Sequence, residues 1–124
     1  MTTVAVLEEL RRLAPVAAVH GNVDEPALRA LLPERLIVEL DGARVGLVHD
    51  AGRRVGRAER LLGWFPECAA IVYGHSHRPE VGRVGETWIL NPGSPTDRRR
   101  SPSRSMALLV VDARGVSAEL VPLP

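Results

Sequence analysis

The chain has 124 residues, 45% of them hydrophobic, and a formal charge of +1 at pH 7. That length makes a single domain, residues 1–124, with enough chain to bury a core, and the near-neutral balance gives no global reason for nucleic-acid or membrane binding. All 16 basic residues are arginine, which reads as the coding bias of a GC-rich genome. The single cysteine, Cys68, has no partner for an internal disulfide; beside an apolar run it reads as a small buried residue of a reducing, cytoplasmic protein. No apolar stretch approaches the about 20 residues of a membrane span, and Met1-Thr2-Thr3 lacks the basic-then-apolar start of a signal peptide.

The chain opens on a predicted helix, capped by Thr2 or Thr3 and running from Val4 to Leu13, with Val6, Leu10 and Leu13, joined by Leu7, as its apolar face. Pro15 stops it, and Val16 to Val19 reads as a short buried strand. A brief helix starts near Pro26, a residue suited to a first turn, and runs to Leu32. Leu36 to Leu40 and Arg44 to Val48 flank Asp41-Gly42, a pair that suits a two-residue hairpin turn. A further helix fits Val55 to Phe65, with Leu61, Leu62 and Phe65 inward, followed by a strand from Ala69 to Tyr73. Beyond Arg78 short strands alternate with tight turns: Val81 to Val84 and Thr87 to Leu90 around Gly85-Glu86, then Ser105 to Val111 and Val116 to Val121 around residues 112–115. The polar stretch between them, with Arg98-Arg99-Arg100, reads as a solvated surface loop. Strands alternating with helices, then a strand-rich half, indicate an α/β layered sandwich.

Four apolar runs end in loops rich in ligand-type residues: His20-Gly21-Asn22-Val23-Asp24, His49-Asp50, Gly74-His75-Ser76-His77-Arg78 and Asn91-Pro92-Gly93-Ser94. Residues i and i+2 of a strand share a face, so His75 and His77 leaving a strand end together could each face a divalent metal, for which imidazole is a suitable ligand. Alone, such a pair fits a solvated loop equally well. Four junctions of this kind make a site pattern. Tyr73, Trp88, Trp64 and Phe65 read as packing residues.

G-N-x-D at Gly21–Asp24, His49 after a strand, G-H-S-H-R-P and N-P-G-S, in that order, resemble the calcineurin-like metallophosphoesterases, specifically the small bacterial and archaeal phosphodiesterase branch. The resemblance implies a four-layer αββα sandwich and a two-metal hydrolase acting on a phosphodiester or phosphomonoester. By motif, Asn22, His49 and His75 would hold one ion and His77 the other. Manganese is the expected metal, with zinc, nickel, iron and magnesium also suited. Two ions about 3.5–4 Å apart would polarise a phosphoryl oxygen and support direct attack on phosphorus. Relatives often place a histidine after the asparagine as proton donor; Val23 stands there, and His20 or Asp24 is the substitute expected. Asp50 either orients His49 or caps the next turn.

The departure from the family pattern is as informative. Members begin with a strand ending in D-x-H, a helix, and a strand ending in G-D, which supply further ligands and a bridging aspartate. Neither motif occurs here, a deficit equivalent to one βαβ unit of about 30 residues. The fold expected is therefore the αββα sandwich without its first βαβ unit, with open strand edges that a second copy could pair as a homodimer. A gene start upstream of Met1 is one expectation. The other is a short protein that has lost catalysis and serves as a scaffold or binding module.

Overall fold

The computed structural model describes residues 3–21, 26–94, 104–112 and 114–124. Asn22, Val23, Asp24 and the Arg98-Arg99-Arg100 run lie outside the described residues. Helix α1 (Val4–Leu13) starts where the sequence places it: Thr3 has extended backbone and its hydroxyl accepts from the Val6 amide at 3.2 Å. Its inward face differs from expectation. Leu7 is buried with Val4 against Leu28 and Leu32, whereas Val6, Leu10 and Leu13 stay exposed. The neighbour available to α1 is the short α2 (Pro26–Leu31), which covers only one side of it.

Strands β1 (Arg35–Leu40) and β2 (Ala43–Val48) form the expected hairpin, with Asp41 at φ 47° and Gly42 at φ 83°. Both turn residues being left-handed defines the primed turn whose twist matches the strands. Helix α3 spans Arg57–Trp64, later than the apolar pattern suggests, because Gly56 before it is left-handed at φ 72°. Strands β3 (Ala70–Val72), β4 (Glu80–Val84) and β5 (Thr87–Asn91) complete a five-stranded sheet of order β1-β2-β3-β5-β4. Within it β2, β3 and β5 run parallel, and antiparallel β1 and β4 form the edges. Strands β6 (Arg104–Asp112) and β7 (Gly115–Leu123) make a separate antiparallel ribbon.

Alternation along the parallel strands builds two cores. Val48, Ile71, Tyr73 and Ile89 face α3, where they meet Leu61 and Phe65; Val45, Leu47, Ala70, Val72, Trp88 and Leu90 face the ribbon's Ala107, Leu109, Val116 and Ala118. The result is a mixed α/β fold in which α3, the mixed sheet and the ribbon are stacked as layers. Trp88 bridges two of them, its indole N–H donating to the Val116 carbonyl at 2.8 Å. Cys68 is buried in the α3 core, as its apolar setting implied.

The Val16–Val19 segment does not join a ladder. Val16 and Ala18 pack on the α1–α2 cluster, and the backbone tie near its end is the His20 amide to the Pro33 carbonyl at 3.1 Å. Nor is the segment buried: Ala17 is exposed and Val16, Ala18 and Val19 are partly covered, and a strand requires a neighbouring backbone in register, which this segment does not pair with. Strand β6 shows the complementary feature. Its inner residues Ala107 and Leu109 meet the sheet, while Met106, Leu108 and Val110 on its outer face are exposed.

Candidate metal centre

Parallel strands end together, and the crevice outside their carboxyl ends is where α/β sheets place ligands. His49 follows β2, the Gly74–Pro79 loop follows β3, and Asn91 closes β5. The backbone stitches these ends to one another: the Gly74 amide donates to the His49 carbonyl at 2.9 Å and the Tyr73 amide to the Leu90 carbonyl at 3.0 Å. His49 and His75, 26 positions apart in sequence by their numbers, meet edge to face with ring centroids 5.3 Å apart and planes at 85°. Gly21 makes room for this: a Cβ there would stand 3.1 Å from the His49 ring, whereas one on Gly74 would stand 3.6 Å from His49 Nδ1, an ordinary contact.

The two loop histidines are placed differently from the strand alternation expected of them. β3 ends at Val72, and His75 (φ 76°) and His77 (φ 58°) both adopt left-handed backbone in the turn beyond it. Such conformations are uncommon outside glycine, though histidine is among the residues enriched there, and each costs about 1–3 kcal/mol that the surroundings must offset. His75 is exposed and His77 half-buried.

A cleft of about 190 Å³ opens beside His49, lined by His20, Gly21, Arg29, Glu34 and Asp50. His20 and His49 thus share one wall. Asp50 takes the second of its two expected roles: its carboxylate accepts from the Gly52 amide at 2.8 Å and so caps the following turn. Arg29 and Glu34 were not singled out by sequence. They sit on and just after a short amphipathic helix and look there like ordinary surface charges; only the packing of α2 brings them to His49.

The His49–His75 pair fits a divalent ion. With metal–nitrogen bonds of about 2.0–2.1 Å, two imidazoles sharing one ion at a roughly tetrahedral angle hold their centroids on the order of 5 Å apart. Among the described residues no group of three or more His, Cys, Asp or Glu side chains assembles as a metal set. Asn22, the expected third donor, follows Gly21 directly but, like Asp24, lies outside the described residues.

Residues 1–114 match the calcineurin-like phosphoesterase superfamily domain, and the chain belongs to that family of metallophosphoesterases. A probable metallophosphoesterase of Methanothermobacter thermautotrophicus is 32% identical over 123 residues, 98% of this chain and 70% of the relative. The probable metallophosphoesterase MJ0623 of Methanocaldococcus jannaschii is 33% identical over 128 residues, 99% of this chain and 62% of the relative. Among solved structures, the Thermotoga maritima protein TM1076 superposes with a TM-score of 0.69 at 32% identity, over 96% of this chain and 71% of that one. Vps29 of Entamoeba histolytica, complexed with zinc, has the same fold, with a TM-score of 0.71 at 24% identity over 98% of this chain and 82% of that one.

Proposed function

We propose that this chain acts in the cytoplasm on a small phosphate ester, a phosphodiester or phosphomonoester, through divalent metal ions held at the carboxyl ends of its parallel strands. The observation that carries the reading is the edge-to-face pair of His49 and His75, delivered by two different strands in a member of a metallophosphoesterase family. Asn22, His49 and His75 are assigned to one ion and His77 to a second, with manganese as the metal. Such ions polarise a phosphoryl oxygen and lower the pKa of the attacking water.

The chain's own residues do the remainder. Neutral imidazoles and an amide oxygen bind a divalent cation without cancelling its charge. Arg29, lining the cleft beside His49, offers a guanidinium to a phosphate oxygen. His20, on the same wall, is the group proposed to return a proton to the leaving group, with Asp24 the alternative.

The test is hydrolysis of bis(p-nitrophenyl) phosphate with added Mn²⁺, alongside measurement of bound metal. Turnover should vanish with a chelator. His75→Ala should lower it by more than the about 10–100-fold typical of losing an outer-shell partner. A folded chain that neither takes up Mn²⁺ nor turns over the ester would overturn the reading. It would favour the second one, a non-catalytic binding module, for which the exposed apolar strip Met106, Leu108 and Val110 is the supporting feature.

A further inference from the structure

The loop that carries both histidines, residues 74–79, is fastened at its base and its centre by side chains outside the metal set. At the base, the Tyr73 hydroxyl donates to Glu80 Oε2 at 2.7 Å, tying the last residue before the loop to the first residue after it. At the centre stands Asn91, wholly buried at 0% exposure. Its amide nitrogen donates to Ser76 Oγ at 3.1 Å and makes a longer contact with the Gly74 carbonyl at 3.5 Å. Its amide oxygen accepts from the Gly93 amide at 3.0 Å. Ser76 lies between His75 and His77, and its hydroxyl also accepts from the Arg78 amide at 3.3 Å.

The Asn91 amide is thus used at both ends, and its orientation is set by the turn that follows. That turn is itself anchored. Ser105 on β6 donates its hydroxyl to the Pro92 carbonyl at 2.8 Å, and its amide donates to the Ser94 carbonyl at 3.0 Å. Gly93, left-handed at φ 75°, leaves no room for a side chain against the Ser105 hydroxyl. A rigid turn on β5 therefore presents one fixed donor to the middle of a loop whose two histidines hold backbone conformations they would not keep unaided.

We propose that Asn91 is a positioning residue for the histidine pair: by gripping Ser76 it fixes His75 and His77 in the left-handed turn from which they present their imidazoles. This rests on the metal-site reading for its functional meaning, while the loop geometry can be tested without metal. Asn91 acts through Ser76, so removing either end of the bond should have the same kind of effect.

The experiment compares wild type, Ser76→Ala, Asn91→Ala and the double variant by Zn²⁺ affinity against a chromophoric chelator, amide hydrogen exchange at residues 75–77, and thermal unfolding. Ser76 is exposed, but its hydroxyl is the acceptor for the buried Asn91 amide, so Ser76→Ala should unfold at a lower temperature than wild type and exchange about 3- to 10-fold faster at those amides, the range of one hydrogen bond. Asn91→Ala should weaken Zn²⁺ binding by about 10–100-fold. The double variant should bind Zn²⁺ as Asn91→Ala does, with no added loss. Wild-type exchange and wild-type Zn²⁺ affinity in a folded Ser76→Ala protein would overturn the proposal, whether or not Asn91→Ala folds. Absence of Zn²⁺ binding by wild type would instead defeat the metal reading, and faster exchange in Ser76→Ala would still establish the grip on the loop.

Discussion

Cys68 sits at 4% exposure in the core beneath α3, and that burial raises its thiol pKa above the ordinary 9.0, with the Arg44 charge opposing. A folded-state pKa above the unfolded one means the native protein holds the proton more tightly. The associated stability is complete below pH 9 and is lost as pH climbs through the folded value. We expect the melting temperature to fall on the alkaline side, and Cys68→Ala to flatten that fall at the cost of a small void; a pH series of melting curves decides it. The same residue shows how far single positions were legible. Its burial followed from the apolar run beside it, whereas the Arg44 charge that faces it comes from β2, distant in sequence.

At the scale of elements, a close approach at the end of α3 adds to the packing of Leu61 on the sheet. Gly46 on β2 lies under Phe65, and a Cβ there would come within 2.6 Å of that ring. Gly46 is not among the glycines with positive φ, so the constraint is purely steric. Gly46→Ala should destabilise by about 1–3 kcal/mol, the usual cost of overpacking, measurable by urea unfolding. Wild-type stability in that variant would mean that α3 shifts freely on the sheet. The two hairpins of the mixed sheet were legible because Asp41-Gly42 and Gly85-Glu86 encode their turns locally. The inward face of α1 was not, because a helix with apolar residues at positions 6, 7, 10 and 13 can turn more than one side to its neighbour, and α2 selected Leu7.

Across the whole molecule, the sheet collects the site and the ribbon leaves a surface open. Met106, Leu108 and Val110 are 39%, 44% and 53% exposed on β6, a strand apolar on both faces, as strands covered on both sides usually are. We expect this face to drive self-association. Sedimentation velocity should show concentration-dependent dimers in wild type and monomers in Leu108→Lys, with unchanged melting temperature. Monomers in both would remove the apolar strip as a contact. Among the described residues no helix is long and apolar enough to cross a membrane.

The sequence by itself determined the elements whose causes are local: the Thr3 cap, the two-residue turns, the alternating strands, and the order of polar junctions that marks the family. Tertiary structure decided what depends on residues far apart in the chain. It brought His49 against His75, turned Arg29 into the same cleft as His20, denied Val16–Val19 a strand partner, and set Asn91 under the histidine loop. A turn or a cap is encoded by a few neighbours, whereas these arrangements arise from strand order and register, which no short window of sequence contains.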